Sequence, residues 1–403
     1  MSINLLRNSK VYFTTNVDTT APNIGKILTT GFNGTVPNTW EIQVLDDLSF
    51  SQTTAVETIA VNETGDAPIR GQRSFNTALN PVDFNFTTYM RPYDNLGSPG
   101  VLTCEEAVLW NAMFGVDAIG GADPAWTDGV SGNNPAVCVL TKSNKHQLQR
   151  FGLIVIFDQN AFLLDDCSLN TATIDFGIDA IASIQWSGQA RAVRRLAAPT
   201  DAAGVWTGSL ASVTSTIGYK PKITAAPFIA NKLSTVSLVS KIGSYGTSPT
   251  FNGSPSGSGT TYVMPLTGGS ITLTNNITYL TPAYMASVNQ PITYFTGSRS
   301  ITGSLSAYLR TGSGGTNYSA NLFSDLVNQV NSDSDPEFYL QVEIGGAGNP
   351  VKVELEMPGV VLTIPTVNAE SVITTTVNFT AQGTNSSAFN ILYDNEVMIK
   401  YFA

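Results

Sequence analysis

The sequence contains few charged residues. Lys, Arg, Asp and Glu make up 12% of its 403 residues, about half the share that is usual in soluble proteins. The chain contains one histidine and three cysteines, Cys104, Cys138 and Cys167, at unrelated spacings and without a CxxC pair. Such usage supports neither a zinc site nor a redox motif, so we expect small buried thiols in a reducing compartment.

Long apolar runs are also missing. No stretch approaches the ~18 apolar residues that a membrane-spanning helix requires. The first residues, Met1–Arg7, contain neither a long apolar segment nor a cleavage site. We therefore expect a chain that is synthesised and folded in the cytosol and that has no membrane partner.

Patterns that carry catalysis are absent as well. No Ser or Cys stands in a nucleophile motif with the single His146, and no phosphate-binding glycine loop follows a strand. Adjacent acids occur at Asp46-Asp47, Glu105-Glu106 and Asp165-Asp166. We expect the first and third pairs at solvated strand ends and the second in the first turn of a helix, where acids suit the dipole. The sequence therefore predicts no enzyme, no cofactor and no metal site.

The charge that is present is mostly negative. The net charge is −10, and residues 1–200 carry 12 of the 20 Lys and Arg and 19 of the 30 Asp and Glu, a balance of −7. A protein that grips nucleic acid needs clustered cations for the phosphates, so this balance argues against such a role. It is compatible with a surface past which DNA moves, because like charge discourages adhesion.

β-Strand patterning is what the sequence has in abundance. Alternation after Pro81 predicts a strand with one buried face, formed by Val82, Phe84, Phe86 and Thr88, and a polar face formed by Asp83, Asn85, Thr87 and Tyr89. Glycines at 345–349 predict a hairpin loop. Further strands are predicted at Trp40–Phe50, Thr54–Glu63, Ala136–Leu140, Gln149–Phe157, Ala180–Gln189, Tyr262–Met264, Ser270–Leu280, Ser300–Leu309, Glu337–Ile344, Val351–Glu356 and Ala369–Gln382, the last being the longest in its half.

Two amphipathic helices are predicted, one in each half of the chain. The first is Cys104–Phe114, with Thr103 as its N-cap and Gly115 as its end. The second is Asn321–Val330. Their apolar stripes consist of Val108, Leu109, Ala112 and Met113 in the first helix and of Leu322, Phe323, Leu326, Val327 and Val330 in the second. The predicted fold class is mainly β, with one helix flanking a β-sandwich in each half.

The order of these elements is repeated along the chain. Gly71-Gln-Arg-Ser74 opens a strand, a helix follows, and Ile184–Ala190 closes the unit; Gly297-Ser-Arg-Ser300 and Val377–Gly383 occupy the same places in the second half. This order indicates two tandem domains, residues 1–200 and 201–403, the second a diverged repeat of the first. Identity between the halves is low, so two convergent β domains are the alternative. An insertion at about 115–135, predicted to be a loop, lengthens the first domain.

Two segments of the first half carry a family resemblance. Residues 73–92 (RSFNTALNPVDFNFTTYMRP) and 173–190 (TIDFGIDAIASIQWSGQA) resemble the tail tube proteins of long-tailed bacteriophages. The resemblance covers most of residues 1–200 and extends loosely to residues 235–390 through the repeat. It implies tail-tube-like β-sandwich or barrel domains, each with a flanking helix. Tube proteins are usually about half this length, so the duplicated domain is a departure from the family.

The resemblance also implies a function and partners. Six tube domains close into a ring, and rings stack into the tail tube of the virion, through which DNA passes during ejection without specific binding. Three chains or six would then form a ring, in contact with a terminator, a baseplate and, in a contractile tail, a sheath. Synthesis would take place in the cytoplasm of the host bacterium. A decoration or receptor-binding β module of the virion is the alternative.

Five acids are candidates for the channel wall. The family's channel is typically acidic, and the first half of this chain has acids on or beside its long strands. We therefore expect that some of Asp46, Asp47, Glu57, Glu63 and Asp83 face the lumen. The opposing possibility is that they lie on an outer sheet face or at the ends of loops.

Overall fold

A computed structural model describes most of the chain. The described residues are 9–28, 38–59, 72–94, 100–115, 125–132, 134–140, 148–157, 160–196, 227–240, 260–282, 289–312, 317–330, 337–346, 350–369, 371–383 and 396–403. Glu63, His146 and most of the junction between the two halves lie outside these ranges.

Extended segments dominate the N-terminal half, residues 1–200. Its one helix among the described residues is α1 (Ala107–Phe114). Its strands are β1 (Ser9–Thr14), β2 (Thr39–Ile42), β3 (Ser49–Ile59), β4 (Arg73–Tyr89), β5 (Pro92–Asp94), β6 (Val101–Cys104), β7 (Trp126–Thr127), β8 (Gly129–Val130), β9 (Ala136–Val139), β10 (Phe151–Phe157), β11 (Asn160–Asp175) and β12 (Ser183–Leu196).

The C-terminal half, residues 201–403, has the same character. A short 3-10 turn at Asn231–Leu233 precedes its strands, and its helix is α2 (Ser319–Val330). The strands are β13 (Thr235–Ser240), β14 (Thr261–Val263), β15 (Leu266–Thr274), β16 (Ile277–Leu280), β17 (Thr293–Thr296), β18 (Ser300–Tyr308), β19 (Asn317–Tyr318), β20 (Glu337–Ile344), β21 (Lys352–Leu362), β22 (Thr366–Asn368), β23 (Thr374–Ala381) and β24 (Met398–Phe402).

Strands pair in one order in each half. In the N-terminal half the antiparallel order is β1-β10-β11-β12-β4-β3. In the C-terminal half it is β13-β20-β21-β23-β18-β15. The halves join at two seams, where β11 pairs with β15 and where β24 pairs with both β21 and β9. The mainly β fold class is thus confirmed, while the domain duplication stays a prediction.

One apolar core lies beneath these strands and includes residues of both halves. In β4 the predicted alternation is confirmed, since Val82, Phe84, Phe86 and Thr88 are all buried. Trp186 of β12 lies opposite Phe86, and its indole contacts that of Trp110 of α1 with the ring centroids 4.8 Å apart. The helix α1 therefore packs on the buried face of the sheet to which β4 and β12 belong.

The helices differ from their predictions in detail. Thr103 belongs to β6 and does not cap a helix; α1 begins at Ala107, and its N-cap residue Glu106 makes no side-chain capping hydrogen bond. Extended backbone continues to Cys104 because β6 pairs with β5. In α2, Leu322 and Leu326 are buried as predicted, but Val327 is 38% exposed. The stripe of α2 is therefore narrower than its sequence suggests, and the side chain of Val330 is not described.

Several strand predictions need correction. The long strand β11 was not predicted, and the segment expected at Ala369–Gln382 forms a strand only at β23, which is shorter than β21. The segment expected at Ser270–Leu280 is divided between β15 and β16. Within the loop predicted at 115–135, β7 and β8 are short strands that pair with β9 and β6. The hairpin predicted at 345–349 is confirmed by the pairing of β20 with β21.

Candidate functional site: a hydroxyl-lined sheet face

A polar face crosses the seam between the two halves without interruption. It is formed by the outward residues of six neighbouring strands, β4, β12, β11, β15, β18 and β23, and we call it the hydroxyl face. All its members are half-buried or exposed, whereas the residues between them are mostly buried. They are Asn85, Thr87, Tyr89, Ser183, Gln185, Ser187, Thr171, Thr173, Asp175, Ser270, Thr272, Thr274, Ser300, Thr302, Ser304, Ser306, Thr376, Asn378 and Thr380.

Rows of hydroxyl groups run across this face from strand to strand. One row places Thr87, Gln185, Thr173, Thr272, Thr302 and Thr380 opposite one another in turn. Thr173 and Thr272, which belong to different halves, have their hydroxyl oxygens 3.3 Å apart. Ser270 and Ser304 make the same contact at 3.3 Å, and Ser306 and Thr376 at 3.2 Å. Cross-strand pairs of this kind stabilise the sheet and fix its register.

The hydroxyl face is almost without charge. Among the residues just named, Asp175 is the one carboxylic acid and none is Lys or Arg. Asp83, on the same outward side of β4, lies at the edge of the face. A surface binds DNA chiefly by neutralising phosphates with Lys and Arg, so this face lacks what adhesion requires. Its other side chains present uncharged polar groups, mostly hydroxyls and amides.

The structure brings two of the five candidate acids to the border of the hydroxyl face. Asp83 of β4 is exposed, and its Oδ1 accepts a hydrogen bond of 2.9 Å from Nε2 of Gln189. Asp47, exposed in the turn after β2, accepts a hydrogen bond of 3.0 Å from the backbone N–H of Thr87. Both carboxylates therefore lie beside the hydroxyl residues of β4.

The other three candidates lie elsewhere. Asp46 is exposed in the same turn as Asp47. Glu57 is exposed on the far part of β3, opposite Phe75, in a two-stranded hairpin beyond the six-strand face. Glu63 is outside the described residues. Whether any of the five faces a channel stays a prediction.

The acid pairs Glu105-Glu106 and Asp165-Asp166 are both buried. For Asp165-Asp166 this contradicts the prediction of a solvated strand end. This pair lies in the middle of β11 rather than at a strand end, and both residues are buried. Asp165 accepts a hydrogen bond of 2.9 Å from the backbone N–H of Ile27 and pairs with Arg194. Asp166 pairs with Arg150 at 3.2 Å and has a φ of 55°, which marks a bulge in the strand. Each carboxylate is thus neutralised by its own arginine, and both ion pairs have a structural role.

Glu105 and Glu106 precede α1 and do not lie in its first turn. Burial raises the pKa of Glu106 to about 8, with the neighbouring Glu105 adding to the shift. Burial likewise raises the pKa of Glu105 to about 7, although a hydrogen bond from the backbone N–H of Gln43 and the charge of Arg91 oppose it. At neutral pH the Glu106 carboxyl is therefore largely protonated beneath the start of α1.

Within the described residues the structure offers no assembled metal site. No group of three or more His, Cys, Asp and Glu side chains in that part of the chain is arranged to hold a metal ion. Cys104, Cys138 and Cys167 are free and buried, as expected. No helix in the described ranges is both long and apolar enough to span a bilayer.

Comparison with known proteins identifies the class. No family model matches the chain. A curated relative is 30% identical over 390 residues, which cover 94% of this chain and 73% of the relative. The chain therefore belongs to the tail tube proteins of long-tailed bacteriophages, and this confirms the resemblance found in the sequence. The relative is the tail tube protein pb6 of Escherichia phage T5. Family membership places the chain among the structural proteins of the virion tail.

Sequence reasoning missed the site as a whole. It identified the polar residues of β4 but neither β11 nor the junction of β11 with β15, through which the face passes into the second half. The available signal was the alternation of Thr171, Thr173 and Asp175 with buried residues, followed about a hundred positions later by the same alternation at Ser270, Thr272 and Thr274.

Proposed function

We propose that this protein polymerises as stacked rings into the tail tube of a phage and that the hydroxyl face lines the channel through which DNA is ejected. The observation that carries the proposal is the continuity of that face across both halves of a tail tube family member. A channel wall needs an uninterrupted surface without cations, and six adjacent strands of this chain supply one.

Both halves are proposed to line the channel. The order of strand pairing is the same in the two halves, and each contributes three strands to the hydroxyl face. This supports the duplicated domain of residues 1–200 and 201–403. Three chains would then supply the six domains of a ring, and closure of the sheet would remove the edges that each chain exposes.

The acids at the border would set the sign of the channel's field. Asp47 and Asp83 lie beside the hydroxyl face, and Asp175 lies within it. Their repulsion of phosphate acts over about 8 Å at physiological salt, so it would keep DNA off the wall without a specific contact. Terminator, baseplate and, in a contractile tail, sheath proteins would contact the ends or outside of the tube, in a virion made in the host cytoplasm.

Electron microscopy of the purified chain tests the proposal. We expect rings or tubes with three copies of the chain per ring, and mass measurement of the smallest closed species should give three chains. A stable monomer at high concentration, with no higher assembly under crowding or salt, would contradict the tube. Closed rings of six chains would retain the tube but reject the equivalence of the two halves.

A further inference from the structure

Three charged residues are buried together where β21 pairs with β24. Glu354 and Glu356 of β21 and Lys400 of β24 are 6%, 3% and 5% exposed. The residues that alternate with them in β21 belong to the apolar core, so the three lie on the opposite side of the sheet. We call them the Lys400 triad. Burial of charge is costly even when the charges are paired, so the triad is an unusual feature of this sheet.

Lys400 contacts both carboxyl groups of the triad. It lies directly opposite Glu354 in the β21–β24 pair, and its Nζ is 3.7 Å from Oε1 of Glu354. The same Nζ reaches diagonally to Glu356 and donates a hydrogen bond of 2.6 Å to its Oε1. Gln341 of β20 donates a hydrogen bond of 2.7 Å from Nε2 to Oε1 of Glu354. Three paired strands therefore hold an amine against one carboxyl group, with a second carboxyl group beside them.

The two carboxyl groups differ in protonation. Burial raises the pKa of Glu356 to about 7, and a hydrogen bond with Glu354 adds to the shift. Burial also acts to raise the pKa of Glu354, but hydrogen bonds from Glu356 and Gln341 and the charge of Lys400 outweigh it and lower that pKa. At neutral pH Glu356 therefore carries, in a large share of molecules, a proton that it shares with the ionised Glu354. A protonated carboxyl group is a better electrophile than a carboxylate.

We propose that Lys400 and Glu356 condense to an amide bond that joins β24 to β21, with Glu354 as the proton acceptor. Glu354 takes a proton from Nζ, and the lone pair thus freed on Nζ forms a bond to Cδ of Glu356. The bond from Cδ to one carboxyl oxygen then breaks. That oxygen leaves as water with two of the three Nζ protons, and the third stays on the amide. The proton that the two carboxyl groups shared remains on Glu354, and no oxidant or reductant takes part.

The position of the triad in the sheet favours this condensation. Contact between groups on fixed strands replaces a bimolecular encounter, and well-oriented pairs of this kind reach effective concentrations on the order of 10⁵ M or more. The ion pair that is lost was costly to bury, whereas the amide that replaces it is neutral. Exclusion of water from the buried site protects the product from hydrolysis.

A second lysine on the same face lacks these conditions. Lys352 pairs with Glu343 and lies 3.5 Å from Oε2 of Glu354. The side chains of Lys352 and Glu343 are 15% and 16% exposed, against 7% and 4% for Lys400 and Glu356. Water reaches the Lys352–Glu343 pair, and a hydrated ammonium is a poor nucleophile. The inference therefore selects Lys400 and leaves Lys352 as a natural comparison within the protein.

The amide would secure one of the two seams between the halves of the chain. β24 pairs with β21 of the C-terminal half and with β9 of the N-terminal half. Hydrogen bonds alone allow β24 to detach when the sheet opens locally. With the amide in place, β24 stays attached to β21 until a covalent bond breaks. This consequence concerns a single chain and does not depend on the proposed tube.

The mass of the denatured wild-type chain tests the proposal. We expect full-length protein that is lighter than its sequence by one water molecule. Digestion with trypsin and cyanogen bromide should release residues 353–357 joined to residues 399–403, because cyanogen bromide cleaves after Met357 and Met398 and trypsin does not cleave after an acylated lysine. Fragmentation of the joined peptide should place the bond at Glu356.

Three variants identify the groups that react. Lys400→Arg keeps a cation, but its guanidinium stays protonated and cannot attack, so this variant should have the full mass of its sequence. Glu354→Gln removes the proton acceptor and should slow the loss of water by about a hundredfold, measured at intervals after synthesis. Lys352→Arg is the matched control and should lose water as the wild type does.

The full sequence mass in wild-type protein, both fresh and after long incubation at neutral pH, would overturn the proposal. An amide located at Glu354 or at Lys352 would overturn it as well, and so would a loss of water that persists in Lys400→Arg. The wild-type measurement decides the matter even if a variant fails to fold. Because every reading is made on the denatured chain, rejection of the tube would leave the amide unaffected, and rejection of the amide would leave the tube unaffected.

Discussion

Trp110 of α1 donates a hydrogen bond of 2.9 Å from its indole N–H to the hydroxyl oxygen of Tyr401, 291 residues later in the chain. Both side chains are fully buried. The bond ties the last strand, β24, to the helix of the N-terminal half, beside the seam that β24 forms with β9. The bond therefore links the core of the N-terminal half to residues at the far end of the chain.

Removing this bond should destabilise the protein. Tyr401→Phe leaves the buried indole N–H of Trp110 without its partner, which costs about 1–3 kcal/mol of unfolding free energy. The exposed Tyr308 gives a matched control, because Tyr308→Phe should change that free energy by less than about 0.5 kcal/mol. Urea unfolding measures both variants. Equal midpoints for the two would show that the Trp110–Tyr401 bond contributes nothing.

The second helix allows a test of its narrow apolar stripe. Leu326 is 2% exposed, so Leu326→Ala should cost about 2–5 kcal/mol through the cavity that it leaves. Val327, the adjacent residue, is 38% exposed, and Val327→Ala should cost much less. Thermal unfolding of both variants gives the comparison. A larger loss of stability for Val327→Ala than for Leu326→Ala would show that Val327, and not Leu326, lies at the centre of the buried face of α2.

Glu106 should make stability depend on pH. Its pKa in the folded state is about 8, above the ordinary value of 4.5, so the folded state binds this proton more tightly than the unfolded state. Stability from this group is greatest below pH 4.5 and falls as pH rises to 8, by up to about 1.4 kcal/mol per pH unit. Glu106→Gln should remove that slope between pH 7 and 8, where Glu105, with a pKa of about 7, has mostly titrated.

Urea midpoints at several pH values between 6 and 9 provide the measurement for Glu106→Gln. Glu57→Gln is the control, since Glu57 is exposed and its replacement should leave the pH dependence as in the wild type. If the wild type and Glu106→Gln lose stability in parallel as the pH rises, another buried acid, such as Glu356 with a pKa raised to about 7, governs the slope.

Cations placed on the hydroxyl face should slow the passage of DNA. Thr302 is exposed in the centre of the face, and Thr302→Arg would repeat one cation in every chain of every ring. Each phosphate contact steepens the salt dependence of DNA binding, so ejection should be slower at low salt and recover at high salt. Thr278→Arg, on the exposed side of hairpin β16–β17, is the control and should eject normally. Unchanged ejection with Thr302→Arg at every salt concentration would place the hydroxyl face outside the channel.

Alternation of apolar and polar residues predicts correctly the strands in which it runs without interruption. Val82 to Thr88 alternate regularly, and their buried face was therefore predicted residue by residue. In β11 the bulge at Asp166 and the shift between Leu169 and Thr171 change which residues face inward, so the strand has no single period to detect. Local patterning consequently predicts a solvated strand end for the acids at 165–166, whereas they are buried within β11.

Long-range pairing was beyond what the sequence could predict. Glu106 is buried at the start of α1, where Tyr401 of β24 is hydrogen-bonded to Trp110. Because β24 comes from the far end of the chain, no local sequence pattern predicts this contact. The hydroxyl face likewise depends on β15 pairing with β11, about a hundred residues away. Ser, Thr and Asn at alternate positions indicate an exposed strand face, but the sequence alone does not specify which strands share it.

The β11–β15 seam also has a kinetic consequence. Because Thr173 and Thr272 belong to one polypeptide, their strands meet at an effective concentration that a covalent tether raises to the order of millimolar. Half the seams of a three-chain ring would then form during folding of the monomer, without a diffusional encounter. Assembly of a ring would require two bimolecular encounters in place of the five that six separate domains need, because the last contact closes within one complex. The dependence of its rate on protein concentration would therefore be shallower than for single-domain subunits.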